Sequence, residues 1–529
     1  MRCQSPSVTA GAAVAALAAA SALSCSPAVR DLSPVGEVLV IVDTDMPVPT
    51  VINRLRIDLY APDGSWFESR DVGRSRKTDW PTSFGVFLPD PSREGSVVVR
   101  LRGYLDGEVR DYRGERYVAP SSGGKPFEIA APAGPVVDAR LIRADGSDAT
   151  PKTEPEPATT IDRLVLVRVR PDVHAGVRVV LRGACVGTMA DVAGGQSCTD
   201  TGAIVAPITP EPTREDTSLA PPSVAGTFGT AERCTAATRA AGTAPDGTPL
   251  HDDDVCVDGA MFVYGSKDAF GLGEADDVPR RVAIVPPFRI DRYEVTVGRF
   301  RAAVAKGFVV PTAPGVALTG NDAPLATVGI DTTSASLCTW SDAPRGRETF
   351  AINCLAWPIA RAFCKFDGGD LPSEAQWEYV AANAGRPFQS RYPWGGDDRT
   401  VVRCEQTAFG RGPYPFDNEC NMDGSTFGLL PVGSRAGALA DVSVGLGVVD
   451  LAGGLSEFTA DAFASLSSNC WTSQPLVAPA CLVEPAPSHT ARGGNWSTSR
   501  QSLFLAFRSP FPTKGSSPSV GFRCVHPGQ

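Results

Sequence analysis

Residues 491–511 read ARGGNWSTSRQSLFLAFRSPF, and residues 521–525 read GFRCV. Together they hold an Arg-Gly-Gly, a Trp, further Arg and a Cys within one small sheet's length of sequence. Gly493 and Gly494 permit a close backbone approach that a side chain would block. Arg508 and Arg523 carry planar forks suited to carboxylates or carbonyls inside a loop-rich core. Between them lie Trp496, Ser497, Ser499, Arg500, Gln501 and Ser502. Trp and Arg make good contact anchors, and Ser and Gln adaptable ones, so these six are the candidate ligand-binding surface. The stretch is either the mouth of a site or the closing strands of a fold, and the rest of the chain decides which.

The chain has 529 residues, more than one typical domain. Hydrophobic residues make up 43% and charged residues 20%, which suits a globular protein with real cores. Gly 53 and Pro 46 are high and predict abundant turns and few long helices. A net charge of −10 gives no concentrated basic face, which excludes nucleic acid as a partner. Residues 1–25, MRCQSPSVTAGAAVAALAAASALSC, combine an early Arg, a short apolar run and small residues, and read as a secretory signal peptide. Ala22-Leu23-Ser24-Cys25 resembles a bacterial lipoprotein box, with Cys25 as the lipidated residue and a plain signal cut as the alternative. The expected location is the periplasm or outer membrane, with the membrane reached through that anchor. No other run is apolar enough to span a bilayer.

There are 14 Cys. Beyond Cys3 and Cys25 the number is even, and export with even parity predicts a disulfide framework. Proximity favours Cys185 with Cys198, Cys234 with Cys256, Cys338 with Cys354, Cys404 with Cys420 and Cys470 with Cys481. Cys364 and Cys524 are left over. Spacing alone does not fix this connectivity.

Residues 26–34 read as a tether. Residues 35–206 then run in short β-branched strands bounded by Gly, Pro and Asp: VGEVLVIVDTD, NRLRIDLYAPDG, SFGVFLPDP, GSVVVRLRGYLDG, GERYVAP, DRLVLVRVRP and VRVVLRGACVG. This spacing predicts a β-sandwich region of one or two domains. RADGSDATPKTEPEPATT within it reads as a flexible surface loop, and the Pro/Ser/Thr-rich residues 207–232 as a linker. From residue 233 to 529 Trp, aromatics and Cys are denser. Two helices are predicted there. PIARAFCKF (358–366) opens on Pro and stops at Gly368-Gly369, with Ile359, Ala362, Phe363 and Phe366 on one face. Ser373 to Gln376 forms a capping box opening WEYVAANAG, whose buried stripe is Trp377, Val380, Ala381 and Ala384, with Gly385 at its end. Thr296 can cap a helix after the turn holding Asp291 and Glu294.

Eight stretches in order carry a resemblance: VDGAMFVYGS, PFRIDRYEVTVGRFRAAV, INCLAWPIARAFC, DGGDLPSEAQWEYVAA, YPWGG, GVVDLAGGLSEFTAD, ARGGNWS and GFRCV. Over residues 255–525 the chain resembles the formylglycine-generating-enzyme family, also called the sulfatase-modifying-factor domain. The resemblance implies an α+β, C-type-lectin-like fold rich in irregular loops. It also implies a disulfide from the first-helix Cys, here Cys364, to the final strand, here Cys524.

Relatives that oxidise a sulfatase cysteine hold copper with two Cys just after this Gly-Gly, a donor pair that suits soft monovalent copper. Those positions fall on Thr498 and Leu503, neither of which can supply a thiolate, so copper chemistry is not expected. Other relatives use a three-His iron site from a helical companion domain. This chain has only His174, His251, His489 and His526, scattered, beside a β companion. Relatives in siderophore maturation project onto no named residues here. Calcium-binding relatives carry Gly-Asn-x-Trp-Glu-Trp-Thr, where this chain has Gly454 for Asn and Ser456 for the first Trp. Glu457 and Asp461 remain, leaving calcium near them as a candidate metal. The alternative is that Asp450, Glu457 and Asp461 are structural carboxylates. His251-Asp252-Asp253-Asp254 reads as a solvated acidic turn, GLGEAD at Gly271 lacks the setting of a phosphate loop, and Asn495-Trp496-Ser497 is a sequon match with no expected role. The expectation is a binding or scaffold module of the cell envelope, requiring no cofactor and taking a protein, peptide or glycan ligand. The alternative is a divergent oxidoreductase or maturation enzyme with an unplaced metal.

Overall fold

The computed structural model describes residues 36–88, 90, 92–111, 116–117, 129–130, 141–199, 205–212, 214, 222–265, 280–322, 337–384, 386, 389–395, 402–412, 418–422, 428–435 and 441–529. The signal peptide with Cys3 and Cys25, the tether, Gly385, the GLGEAD stretch and most of GERYVAP lie outside the described residues.

The N-terminal unit contains β1 (Glu37–Thr44), β2 (Arg54–Tyr60), β3 (Trp66–Gly73), β4 (Thr82–Phe87), β5 (Gly95–Tyr104), β6 (Val109–Asp111), β7 (Arg116–Tyr117), β8 (Ile129–Ala130), β9 (Thr153–Pro155), β10 (Ile161–Val169), β11 (His174–Leu181), β12 (Gln196–Cys198) and β13 (Val205–Pro207). One sheet has the order β11-β1-β4 and a second the order β10-β5-β2-β3. Val38, Val40 and Val42 alternate inward along β1 because successive side chains point to opposite faces. They meet Leu55, Ile57, Val97, Val99, Val165 and Val167 of the other sheet in one apolar cluster.

Two expectations are corrected here. Residues 143–160 are not a free surface loop. They contain β9, and Glu154 is buried where it pairs with Arg56 at 3.1 Å and with Arg102. Nor are residues 207–232 a linker throughout. Glu211 donates its N–H to the Leu166 carbonyl at 2.9 Å, Gly226 to Met46 at 2.9 Å and Phe228 to Asp45 at 2.8 Å. Backbone groups laid on a sheet margin in this way are satisfied by it, whatever their Pro and Ser content.

The C-terminal unit runs through β14 (Asp254–Val257), β15 (Ala260–Tyr264), β16 (Arg281–Val285), β17 (Phe288–Asp291), α1 (Val297–Ala305), α2 (Trp357–Phe366), α3 (Glu374–Glu378), β18 (Ser456–Ala462), α4 (Asn469–Thr472), β19 (Ser488–Arg492), β20 (Arg508–Pro512), β21 (Val520–Gly521) and β22 (Val525–Pro527). Helix and strand are mixed, as an α+β domain requires. The sheet β20-β19-β18-β21 carries the opening stretch, and β22 returns to pair with β17 beside β14. Chain closure is therefore what the last 40 residues accomplish. Thr296 caps α1, accepting from the Arg299 N–H at 3.1 Å. Ser373 and Gln376 form the capping box of α3, which runs on into a wider π-type turn over Tyr379–Asn383. Ile359 and Phe363 of α2 are buried as expected, but Phe366, at the helix's last position, is 45% exposed and rests against Phe308.

All six expected disulfides are present: Cys185–Cys198, Cys234–Cys256, Cys338–Cys354, Cys364–Cys524, Cys404–Cys420 and Cys470–Cys481. The two units share apolar surface: Met261 and Val263 of β15 and Val282 of β16 belong to the N-terminal cluster.

Candidate functional site

Three arginines fix the ground on which the 493–507 loop stands. Arg492 donates to Glu378 at 2.5 Å and to Glu374 at 3.3 Å. Arg508 also grips Glu374, through Nε and through Nη2 at 3.0 Å. Arg523 takes Glu457 with both prongs, at 2.7 and 2.6 Å, and Trp377 Nε1 completes that carboxylate at 2.8 Å. All six charged side chains are essentially buried. Such pairs are tolerated inside a protein only when geometry and extra hydrogen bonds offset their desolvation. The forked pairing expected of Arg508 and Arg523 is thus present, and it joins α3 to β18, β19 and the final strands.

From this frame the chain turns at Gly493 and Gly494, with φ of 93° and 67°. A Cβ on Gly493 would stand 2.6 Å from the Leu451 carbonyl oxygen, and one on Gly494 2.6 Å from that of Ser502. Only glycine fits both conformation and space. Asn495 then organises a tight turn. Its Oδ1 accepts from the Ser497 N–H at 3.0 Å and hydroxyl at 2.9 Å, and its Nδ2 donates to Ser456 at 3.1 Å. With the side chain so committed and 8% exposed, the sequon match is structural.

Trp496 requires a correction. It is 4% exposed, packs with Ala351, Ala408, Val432 and Leu455, and donates from Nε1 to the Pro518 carbonyl at 3.0 Å. A buried indole with its N–H matched is a core residue, not a surface anchor. Ser502 is buried as well. Of the expected surface, Ser497 and Ser499 are half-buried, and Arg500 and Gln501 are exposed. Arg500 pairs with Glu419 at 2.8 Å.

The loop's neighbours come from other segments. Tyr392 stacks on Trp394 with centroids 4.9 Å apart, Phe504 lies 5.6 Å from Tyr392, and the Arg391 guanidinium sits 4.7 Å over Phe504. The Cys404–Cys420 disulfide packs with this group. Arg391, Trp394, Glu419 and Phe504 are missing from the sequence reading of the surface. YPWGG, which holds Tyr392 and Trp394, was the one available signal. The result is a ledge of cation, aromatic faces and hydroxyls that can contact a ligand.

Among the described residues, neither implied metal finds its donors. Thr498 closes the Asn495 turn, accepting from the Asn495 N–H at 3.0 Å, and Leu503 is fully buried among Tyr392, Val402, Phe409 and Ala452. Every described Cys is in a disulfide, so no thiolate among the described residues can replace them. The Glu457 oxygens are taken by Arg523 and Trp377. Those of Asp461 accept the Cys481 and Glu374 N–H groups at 2.6 Å each. Among the described residues, no group of three or more His, Cys, Asp and Glu could hold a metal ion. These carboxylates serve the frame, and calcium does not fit them. The acidic turn is likewise spent within the fold: Asp253 pairs with Arg292 and Asp254 with Arg289, each at 2.6 Å.

The buried acids give the unit a pH signature. Burial pushes Asp450 up to about 6 and Asp461 to about 7, the latter helped by Glu374. Asp441 and Glu294 are raised well above the ordinary carboxylate range, again chiefly by burial. Their surroundings include Glu457 and the cation Arg523. These carboxyls keep protons in the fold that the unfolded chain releases. Their contribution is full below about pH 4 and is lost as pH rises, through about 6 for Asp450 and about 7 for Asp461. Burial also opposes charge on Asp291 and Glu374, but Arg299 beside the first and Arg508 beside the second hold both below the ordinary range. Their contribution is present at neutral pH and lost in acid. Thermal melts of the protein from pH 3 to 8 should therefore show the C-terminal unit most stable near pH 4. Asp450→Asn should remove roughly 3 kcal/mol of pH dependence between pH 3 and 8, about half of it above pH 5, at about 1.4 kcal/mol per pKa unit. Asn tolerates the φ of 57° at this position. An alkaline limb unchanged in Asp450→Asn would refute the assignment.

A family model described as "Sulfatase-modifying factor enzyme 1-like domain" matches residues 240–527. The chain is 28% identical over 302 residues to the formylglycine-generating enzyme of Thermomonospora curvata, covering 51% of this chain and 92% of that protein. It is 30% identical over 306 residues to the formylglycine-generating enzyme of Streptomyces coelicolor, covering 51% and 88%. Among solved structures it is similar to PvdO from Pseudomonas aeruginosa, with 19% identity and a TM-score of 0.39 over 55% of this chain and 99% of that one.

Proposed function

The chain belongs to the sulfatase-modifying factor enzyme 1-like family, and on that premise we propose that it is an exported, lipid-anchored binding module of the cell envelope rather than a copper-dependent cysteine oxidase. One observation carries this reading. The arginine frame that holds the 493–507 loop is complete, while positions 498 and 503 are Thr and Leu and every described Cys is in a disulfide. On the same reading residues 35–206 form a β-sandwich region, residues 233–529 a C-type-lectin-like domain, and Cys25 carries the lipid in the periplasm or outer membrane. The ligand is a protein, peptide or glycan that meets Ser497, Ser499, Arg500 and Gln501 beside Trp394 and Phe504. Arg500 is 51% exposed and its pair with Glu419 is of the weak surface kind, so it can be exchanged for a ligand contact.

The test has two arms. Metal analysis of the unstripped protein should find no stoichiometric copper or iron, and a sulfatase-derived cysteine peptide should stay unoxidised. Stoichiometric metal with turnover would establish the rival reading, a divergent oxidoreductase or maturation enzyme. On glycan and peptide arrays, Arg500→Ala/Gln501→Ala should weaken the wild-type signals about tenfold without lowering the melting temperature. Identical array signals for the two proteins would refute the surface.

A further inference from the structure

A cleft of about 320 Å³ opens between the two units. From the N-terminal side it is lined by Ala184 and Val186, and from the C-terminal side by Arg281, Leu466, Gln474 and Leu476. The last two belong to the loop closed by the Cys470–Cys481 disulfide. Its walls mix polar and apolar groups, with Arg280, Thr472 and Gln474 beside Val186, Leu466 and Leu476.

Two neighbouring arginines line it in different circumstances. Arg280 is matched: Nη1 pairs with Glu108 across the two units, and its remaining donors reach Gln389 and the Gly265 carbonyl. Arg281 has no acidic partner among the described residues. It donates from Nη1 to the Trp471 carbonyl and from Nη2 to that of Gln474 at 3.2 Å, and its Nε is buried with no partner. Burial also pulls its pKa below the usual guanidinium range, with only Tyr264 opposing. Arginine stays charged in proteins, so this is a half-buried cation held by carbonyl dipoles alone. Such a charge is costly unless an anion is supplied.

We infer that the cleft binds a small organic carboxylate, its anionic end paired with Arg281 and its apolar body lying between Val186 and Leu476. Each Nη keeps a second N–H beyond its carbonyl bond, and a carboxylate is the charged acceptor such donors pair with. Val186, Leu466 and Leu476 offer an organic acid an apolar contact that a naked inorganic ion cannot use, and Arg280 is already paired with Glu108. The occupant would touch both units at once and so stabilise their contact. The site is separate from the 493–507 ledge.

The test uses the full chain with sodium hexanoate as probe, and hexanol and inorganic phosphate at equal concentration. Hexanoate should saturate in calorimetry and raise the melting temperature, while hexanol and phosphate do neither. Arg281→Met should weaken hexanoate at least about tenfold, the scale of a lost charged hydrogen-bonding partner. Ala184→Trp fills the cleft while leaving Arg281 in place, and should abolish binding even if Arg281→Met folds poorly. The inference is overturned by no hexanoate binding to wild type, by equal stabilisation from hexanol or phosphate, or by unchanged binding in Ala184→Trp. Arg500→Ala/Gln501→Ala should bind hexanoate normally, so failure here and failure of the ledge are read separately.

Discussion

Replacing Cys364 and Cys524 together with alanine should destabilise the C-terminal unit by about 5 kcal/mol, more than removing any other disulfide among the described residues. The bond closes 160 residues, whereas the remaining five close between 11 and 22. If a disulfide acts mainly by restricting the unfolded chain, loops of those lengths correspond to about 5 kcal/mol against about 3 kcal/mol each. The position adds to the effect. Cys364 lies on α2, and Cys524 directly precedes β22, whose pairing with β17 joins the chain's end to the unit's beginning. Both sulfurs are fully buried, so alanine also leaves small voids. Denaturant unfolding of Cys364→Ala/Cys524→Ala and of Cys470→Ala/Cys481→Ala should show the larger loss in the first. Its slope on denaturant should be steeper too, because its unfolded ensemble expands more. Equal losses in the two variants would mean that chain entropy is not what this bond supplies.

What the sequence reveals of this molecule follows the reach of each interaction. Capping is local, and both Thr296 over α1 and the Ser373–Gln376 box over α3 were legible because the partners lie three residues apart. Disulfide partners were legible because five pairs are close in sequence and the family resemblance supplies the sixth. Long-range burial was not. A Trp in a Ser-rich loop reads as exposed, yet Trp496 finds the Pro518 carbonyl and a core built from four other segments. Glu154, in a Pro/Thr-rich run, reads as solvated, yet Arg56 and Arg102 of β2 and β5 receive it. β3 was missed because WFESRDVG has no fully buried residue to set a pattern. It is an edge strand paired only with β2.

The same distinction explains the ledge and the cleft. Its own sequence places the 493–507 loop, but Arg391, Trp394 and Glu419 reach it from segments about 80 to 110 residues away, and that meeting is tertiary. The shared cluster of Met261, Val263 and Val282 with the N-terminal strands is invisible to composition, which marks a boundary near residue 233 without saying which surfaces meet across it. The cleft follows from that contact.

The second large effect is expected at Arg523. Arg523→Met should cost at least about 4 kcal/mol, and more at pH 8 than at pH 5. The guanidinium donates to both Glu457 oxygens and to the carbonyls of Asp291, Arg292, Val449 and Asp450. Methionine has a comparable length and no donor, so these acceptors lose their partner while the volume is roughly kept. Breaking a buried pair from one side typically costs about 3–5 kcal/mol, because a charge is left uncompensated. Here that charge is Glu457, left with only the Trp377 N–H. Glu294 and Asp450, already raised by burial, also lose the cation that had been lowering them. At pH 5 these two already carry protons in the fold, so the lost cation costs them little. At pH 8 Asp450 is ionised in the wild type and must hold its charge or bind a proton without the cation, so stability should fall further with pH in Arg523→Met than in wild type. Adding Glu457→Gln should restore part of the loss, since it removes the stranded charge. Arg500→Ala, on the exposed ledge, should change stability by less than about 1 kcal/mol. A pH-independent loss in Arg523→Met would mean that the arginine serves by its hydrogen bonds to carbonyls alone, and that the buried acids are not held by its charge.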